Sequence, residues 1–157
     1  MTNENKHPLI LPSPLGNLGI QLTENKLSSI DFLPTQTQLI SPQNEITHLI
    51  AQELKTYFQE AHHLFNLPLR LIGTPFQHTV WQALRTIPVG HTLTYGELAK
   101  QLNTSARAIG NACRSNPIPI IIPCHRIVAK KSLGGYTGKT TGTALTIKKW
   151  LLHHEGL

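Results

Sequence analysis

A cysteine, a histidine and an arginine follow one another at Cys124, His125 and Arg126, directly after an apolar run with three prolines, PIPIIIPCHRIV. A free thiol titrates near pH ~8.5 and is mostly protonated at neutral pH, but a neighbouring imidazole can take its proton. Consecutive side chains of an extended segment point in opposite directions, so direct contact between Cys124 and His125 requires a turn, which Pro123 favours, or a bridging water. The residues alone leave two interpretations open: a buried, inert cysteine, or a nucleophile held in a rigid slot.

A histidine that accepts a proton from a thiol needs an acceptor of its own to orient the ring. The second half of the chain contains only two acids, Glu97 and Glu155. Glu97 lies in TYGE, a capping box that would occupy its carboxylate at a helix start. Glu155, in HHEG, is therefore the better candidate for the partner of His125.

The first third of the chain predicts strands. Three short segments rich in leucine and isoleucine, HPLILP, NLGIQLT and LSSIDFLP, are separated by turn-forming residues. A helix is predicted from Pro42 to about Ala61, with Ser41 as its cap and Pro42 in the first helical position.

The second half predicts helices that would position the Cys-His-Arg stretch. TPFQ at Thr74 and TYGE at Thr94 are capping boxes. ARAIGNACRS (106–115) predicts a further helix, ended by Asn116–Pro117 because a residue before proline avoids helical geometry. The two short helices around NTS fit a helix-turn-helix, or equally a helical hairpin in a core. TALTIKKWLLHHEGL predicts a closing helix.

Length and composition limit the class of protein. A chain of 157 residues, 39% apolar and 14% charged, suffices for one domain or two small ones. No apolar window approaches the ~20 residues of a membrane span, and MTNENKHPLI lacks the features of a secretory signal. Two cysteines, Cys113 and Cys124, suit a reducing cytosol better than a disulfide scaffold, so a cytoplasmic location is expected.

The charge is distributed unevenly. Residues 1–78 hold four Lys or Arg and six Asp or Glu, a balance of −2, whereas residues 79–157 hold ten basic and two acidic residues, a balance of +8. Such asymmetry indicates a polyanionic partner for the second half, although a basic, solvated surface would look the same.

Four separated segments together resemble one family. GNACRSNPIPIIIPCHRIV closely resembles the signature of the O-6-alkylguanine-DNA alkyltransferases, also called methylated-DNA–protein-cysteine methyltransferases. GTPFQHTVWQALRTIPVGHTLTYGELA resembles the family segment before the DNA-binding helices, ARAIGNACRSNP the recognition helix, and KKWLLHHEG the C-terminal helix. The resemblance covers about Gly73 to the end, and SPLGNLGIQLTENKLSSIDFLP matches the N-terminal strands more weakly.

The resemblance implies a fold and an activity. It implies an α+β protein in which residues 1–72 form a ribonuclease-H-like scaffold, a small antiparallel sheet with a helix. Residues 73–157 would form a mainly helical, winged-helix-like domain for DNA binding and alkyl transfer. The protein would be a monomer without cofactor that moves the alkyl group of O-6-alkylguanine, and of O-4-alkylthymine, from a flipped base in duplex DNA to itself, once per molecule.

The resemblance also assigns catalytic roles. Cys124 matches the alkyl acceptor, and His125 the residue that deprotonates it through a water. Glu155 matches the acid that orients this histidine, and Tyr95 the tyrosine whose hydroxyl protonates the departing guanine.

Further positions match residues that bind the DNA and the base. Arg107 matches the arginine that fills the place of the flipped nucleotide, and Asn116 the hinge between recognition helix and active-site loop. Tyr136 and Thr137 match the loop that lines the alkyl pocket. Other DNA contacts are expected from the same recognition helix at Ser105, Ala106 and Arg114.

The chain departs from the family pattern at three places. Position 113 is Cys where relatives more often carry Leu or Met, and Cys113 is either a small apolar filler or a pocket residue that makes room for larger alkyl groups. The turn LNTSARA looks about two residues shorter than in many relatives. The segment between Tyr136 and Trp150 looks about five residues longer, and its Lys139 either contacts a phosphate or lies in a solvated loop.

Other functions remain as alternatives. The histidine pairs His62–His63 and His153–His154 could suggest a metal, but family members with zinc use N-terminal cysteines that this chain lacks, so no metal site is predicted. A DNA-binding lesion sensor or regulator without chemistry would replace the acceptor cysteine, which is present here. A cysteine hydrolase would need an oxyanion hole, which nothing in the sequence marks.

Overall fold

The computed structural model describes residues 6–137 and 142–157. Contacts along the chain divide it into two compact units, Met1–Ile72 and Gly73–Leu157. The described residues form a mixed α+β structure with five α-helices and a small antiparallel sheet. None of the helices in these ranges has the length and apolar character that crossing a membrane requires.

The first unit contains the three predicted strands. β1 (Leu9–Leu11), β2 (Asn17–Thr23) and β3 (Lys26–Leu33) pair antiparallel in the order β1-β2-β3. Both residues of the turn between β2 and β3, Glu24 and Asn25, have positive φ angles of 54° and 60°, as a tight two-residue hairpin requires. One side of the sheet is buried by apolar residues that alternate along the strands, including Leu9, Leu18, Ile20 and Ile30.

The helix of this unit begins later than predicted. α1 runs over Glu45–Gln59, and its cap is Asn44, so the prediction of a cap at Ser41 and a start at Pro42 was wrong. The Asn44 side chain accepts a hydrogen bond from the Thr47 amide, and Thr47 Oγ1 accepts one from the Asn44 amide. This reciprocal arrangement satisfies two amides that a single serine cap would not.

The second unit begins with three helices, all predicted. They are α2 (Pro75–Leu84), α3 (Tyr95–Gln101) and α4 (Ala106–Arg114). The capping boxes at Thr74 and Thr94 are confirmed, with Gln77 and Glu97 as their reciprocal partners. Ser105 caps α4 by accepting from the Ala108 amide.

A short parallel pairing that the sequence did not predict joins two distant parts of this unit. β4 (Leu93–Thr94) pairs with β5 (Ile127–Val128), and a single 3-10 turn (Cys124–Arg126) precedes β5. Because Thr94 also caps α3, this pairing brings Tyr95 close to the segment that carries Cys124. α5 (Thr143–His154) closes the described chain.

Candidate active site

The site is a cavity of about 220 Å³ in the second unit. It is lined by residues of α3, α4, the 3-10 turn and the loop before α5: Tyr95, Gly110, Asn111, Cys113, Arg114, Cys124, Gly135, Tyr136 and Thr137. Six of the residues singled out from the sequence therefore share one cavity, namely Tyr95, Cys113, Arg114, Cys124, Tyr136 and Thr137.

A rigid apolar loop holds the thiol at this cavity. Ile118, Ile120 and Ile122 are at most 1% exposed. Ile120 has a φ of 77°, a conformation that strains a β-branched residue and persists only where its surroundings impose it. The Asn116 side chain bridges the loop: Nδ2 donates to the Ile122 carbonyl at 2.8 Å, and Oδ1 accepts from the Ile118 amide at 3.0 Å.

Cys124 itself is the first residue of the 3-10 turn and is 5% exposed. Burial raises the pKa of the thiol to about 11, while a hydrogen bond from Asn116 and the charge of Lys148 oppose this shift. The acceptor therefore rests as a neutral thiol and needs a base at the moment of reaction.

The next residue supplies an imidazole in a fully buried, paired environment. His125 Nε2 lies 2.8 Å from Glu155 Oε2, and neither side chain is exposed. Burial lowers the pKa of His125, against the hydrogen bond and charge of Glu155. The neutral ring that results donates from Nε2 to the carboxylate, which leaves Nδ1 as the acceptor. Nδ1 has no hydrogen-bond partner among the described residues.

Arg126 completes this arrangement. Its Nε and Nη2 donate to Glu155 Oε1 and Oε2 at 2.8 and 3.0 Å, and Nη1 donates to the Ile87 carbonyl at 2.6 Å. Glu155 thus accepts hydrogen bonds from both His125 and Arg126, and the ion pair with Arg126 compensates its buried charge. The third residue of the Cys-His-Arg stretch therefore has a structural function that sequence reasoning did not assign.

Lys148 is a second residue that sequence reasoning missed. Its side chain is fully buried, and Nζ donates to the carbonyls of Ile127 at 2.6 Å and Gly135 at 2.8 Å. Burial lowers its pKa to about 8, and the nearby Cys124 and Cys113 partly oppose this shift. Its position in the KKW segment gave no signal, because lysines on a helix usually lie in solvent.

Tyr95, the first residue of α3, forms another part of the wall. Burial raises its pKa, the charges of Cys113 and Cys124 add to this shift, and a hydrogen bond with the Gly135 backbone opposes it. The neighbouring loop needs a glycine at position 134, where φ is 72° and a Cβ atom would lie 2.9 Å from Tyr95 Cε2. The hydroxyl is therefore a protonated group placed at the cavity.

Cys113 lies in the cavity wall. Burial raises the pKa of its thiol to about 12, with a further contribution from Cys124. Tyr136 is buried, and Thr137 donates its hydroxyl to the Tyr136 carbonyl at 2.7 Å.

The residues predicted to contact DNA lie at the surface of α4. Ser105, Ala106, Arg107 and Arg114 are all exposed, and only Arg114 also lines the cavity. Lys139, predicted to contact a phosphate or to lie in a solvated loop, falls outside the described residues.

The histidine pairs lie in other surroundings. His63 Nε2 lies 2.9 Å from Glu53, and the ring of His154 stacks on Trp150 with centroids 4.7 Å apart. Within residues 6–137 and 142–157, no three His, Cys, Asp or Glu side chains group together as metal ligands would.

Comparisons with known proteins agree on one family. The family profile described as "6-O-methylguanine DNA methyltransferase, DNA binding domain" matches residues 75–157. The methylated-DNA–protein-cysteine methyltransferase of Methanosarcina acetivorans is 37% identical over 156 residues, covering 94% of this chain and 96% of that protein. The constitutive one of Bacillus subtilis is 37% identical over 154 residues, covering 91% of each.

Solved structures give the same result. The O-6-methylguanine methyltransferase of Mycobacterium tuberculosis superposes with a TM-score of 0.75 at 36% identity, covering 95% of this chain and 92% of that one. The Mycobacterium tuberculosis protein solved in complex with DNA gives 0.76 at 37% identity, covering 93% and 90%. The chain therefore belongs to the methylated-DNA–protein-cysteine methyltransferase family.

Proposed function

We propose that the protein repairs O-6-alkylguanine in duplex DNA by transferring the alkyl group to Cys124. One observation carries this proposal: the Cys124 thiol lines the cavity, and the next residue, His125, forms a buried hydrogen bond with Glu155. The names of the relatives and the DNA complex of a structural neighbour support the choice of substrate.

The reaction is a displacement at a saturated carbon. The sulfur of Cys124 forms a bond to the alkyl carbon while the bond from that carbon to guanine O-6 breaks, and the electron pair of the broken bond stays on the base. The thiol proton goes through a water to Nδ1 of His125, the acceptor that the bond to Glu155 leaves open. The products are S-alkylcysteine and unmodified guanine.

The departing guanine needs a proton, because charge that develops on the leaving group would otherwise raise the barrier. Tyr95 is the donor in this mechanism. Its raised pKa keeps the hydroxyl protonated until the base accepts the proton. The proton taken from the thiol then reprotonates the Tyr95 hydroxyl. The protein and the base together therefore neither gain nor lose a proton.

The base must leave the duplex to reach the buried thiol, at a cost of a few kcal/mol. We assign Arg107, exposed on α4, to the space that the flipped nucleotide leaves, and Ser105, Ala106 and Arg114 to contacts along the groove. Tyr136 and Thr137 would hold the flipped base, and the Asn116 bridge would connect α4 to the active loop.

The two units would divide these tasks. We assign Met1–Ile72 to a ribonuclease-H-like scaffold and Gly73–Leu157 to a winged-helix-like domain that binds DNA and reacts. A thioether is stable, so each monomer would act once. O-4-alkylthymine, which presents the same kind of alkyl-oxygen bond, would be a second substrate.

Duplex DNA with labelled O-6-methylguanine tests the proposal. We expect the label on the protein to rise to one group per molecule and then stop, and Cys124→Ser to bind the duplex without taking up label. Tight binding of damaged duplex by the unsubstituted protein, with no transfer, would favour a lesion sensor. Repeated turnover with release of the label would favour a hydrolase.

A further inference from the structure

The first unit contains a further cavity, which the proposed alkyl transfer does not use. It has a volume of about 550 Å³ and lies between the loop after β1 and one face of α1, within Met1–Ile72. This volume is in the range of about 300–1,000 Å³ that small-molecule sites occupy. None of the residues assigned to alkyl transfer lines it. The cavity can therefore be considered as a binding site in its own right.

Hydrocarbon groups form most of its lining. Leu18 and Leu54, both at most 1% exposed, line the cavity together with Phe58, Pro12 and Pro14. An apolar ligand group would lose only unfavourable hydration at these surfaces. A polar group would lose hydrogen bonds to water that these side chains cannot replace. The lining therefore favours a ligand with a hydrocarbon body.

The loop after β1 offers little hydrogen bonding to a ligand. Pro12 and Pro14 have no backbone N–H. The Leu15 amide donates to the Ser13 hydroxyl at 3.0 Å, and the Gly16 amide donates to the Ser13 carbonyl at 3.1 Å. These internal bonds also fix the shape of the loop, so this side of the cavity is formed before a ligand arrives.

The centre of β1 is paired on both of its edges. Ile10 lies opposite Gly19 of β2 on one side, and on the other it exchanges hydrogen bonds of 3.1 and 3.2 Å with Ile40. A bound peptide could therefore not extend the sheet at this point, and its own amides and carbonyls would find few partners among the hydrocarbon groups of the cavity. A hydrocarbon chain fits this site better than a polypeptide.

Lys55 is the charged residue of the lining. The positions one helical turn away from it carry no acid: Ala51, Gln52, Phe58 and Gln59. The acid nearest to it in sequence, Glu53, lies 2.9 Å from His63 Nε2 and accepts from the Asn66 amide at 2.8 Å. Within residues 6–137 and 142–157, no carboxylate forms a salt bridge with Lys55. Its ammonium group is therefore available to a negative group on a ligand.

A second donor lies beside this cation. Gln59 is one turn after Lys55 on α1 and also lines the cavity, so its amide can donate next to the ammonium group. A carboxylate can accept from both residues through its two oxygens. Lys55 and Gln59 are exposed, whereas Leu18 and Leu54 are buried. The carboxylate would therefore lie at the rim and the carbon chain inside.

We propose that the first unit binds a monocarboxylic acid with a hydrocarbon chain, with the chain in this cavity and the carboxylate at Lys55 and Gln59. The binding is noncovalent, and it does not depend on the alkyl transfer proposed above. Octanoate is a suitable probe because it combines a straight hydrocarbon chain with one carboxylate. Octanol, which has the same chain without the charge, is its matched control.

Nuclear magnetic resonance titrations of the whole, isotope-labelled chain test this proposal, with the amide signals of Leu18 and Leu54 as reporters. We expect octanoate to shift both signals saturably and to bind about two- to fivefold more tightly than octanol, the value of an exposed ion pair. Lys55→Met should abolish this preference and keep octanol binding, whereas Lys55→Arg should retain the preference.

A variant that fills the cavity provides the second measurement. Ala51→Leu adds a larger side chain to the lining and should weaken both ligands by about tenfold or more. Gln52→Leu, at the exposed neighbouring position on α1, should leave both affinities unchanged. The Lys55 variants, at an exposed position, decide the matter if Ala51→Leu does not fold.

Three results would overturn the proposal. Octanoate at millimolar concentration might leave the Leu18 and Leu54 signals in place, folded Ala51→Leu might bind as tightly as the unsubstituted protein, or octanoate and octanol might bind equally well. None of these results bears on alkyl transfer, because the titrations contain no DNA.

Discussion

At the scale of single residues, the site depends on how buried charges compensate one another. Glu155 is balanced by Arg126 and also orients His125, whereas Lys148 donates hydrogen bonds to two backbone carbonyls, those of Ile127 and Gly135. Its positive charge favours ionisation of Cys124. Burial makes the Cys124 thiol less acidic, and the charge of Lys148 partly restores its acidity.

Replacing Lys148 should make the thiol less reactive. In Lys148→Met, loss of the buried cation should raise the pKa of Cys124 further, and each pKa unit lowers the thiolate fraction about tenfold below the pKa. Because the pKa of Lys148 is about 8, the lysine is charged mainly below that pH, so the deficit should be largest there and narrow above it.

The rate at which iodoacetamide modifies Cys124 is measured as a function of pH. Both variants also carry Cys113→Ser, so that Cys124 is the one thiol that can react. Tyr95, which also lies within electrostatic range of this thiol, remains in the variant. Lys149→Met, the exposed neighbour on the same helix, is the matched control. Equal profiles for the two variants would show that Lys148 does not act on the thiol.

Removing the charge of Glu155 should destabilise the fold as well as the reaction. Glu155→Gln leaves the Arg126 guanidinium without a buried counter-charge, and breaking such a pair costs about 3–5 kcal/mol. Denaturant unfolding measures this loss. Glu60→Gln, on the surface, should stay within about 0.5 kcal/mol of the unsubstituted protein. A similar small change in Glu155→Gln would contradict the burial and pairing seen here.

At the scale of elements, the sequence predicted those helix starts that side chains close by in the chain determine. The capping boxes at Thr74 and Thr94 fix the starts of α2 and α3 through side chains three residues away. The start of α1 was misplaced because Ser41–Pro42 is also a valid start signal, and only the Asn44–Thr47 pairing decides between them. β4 and β5 were missed because strands of two residues carry no periodicity.

The loop that mounts Cys124 depends on one amide side chain. Asn116→Ala removes both hydrogen bonds across the loop and leaves the Ile122 carbonyl without its partner, which should cost about 1–3 kcal/mol and slow alkyl transfer. Denaturant unfolding and single-turnover rates measure the two effects. Asn66→Ala, an exposed position, serves as the control. Unchanged rates in Asn116→Ala would mean that the strained turn at Ile120 holds the thiol without this bridge.

At the scale of the whole molecule, the basic second half is the feature that composition predicted best. Its balance of +8 agrees with a family whose matched domain is DNA-binding. Charge counts could not identify which cations act inside the protein, however. Arg126 and Lys148 are buried and hold carboxylate or carbonyl groups, so they are unavailable to phosphates, and only tertiary structure reveals this.

Binding of undamaged duplex should weaken steeply as salt rises, because phosphate contacts release counterions. Arg114→Ala, on the exposed face of α4, should lower the slope of log affinity against log salt by about 1. Lys55→Ala, in the first unit, should leave the slope unchanged. Fluorescence anisotropy over a salt series provides both values, and equal slopes for the two variants would remove Arg114 from the DNA interface.

The site of the covalent product tests the proposed alkyl transfer most directly. After reaction with a duplex that contains O-6-methylguanine, the protein is digested and its peptides are analysed by mass spectrometry. We expect one added methyl group, on the sulfur of Cys124, with Cys113 unmodified and the guanine restored. A methyl group on Cys113 or elsewhere, or a restored guanine with no modified peptide, would contradict it.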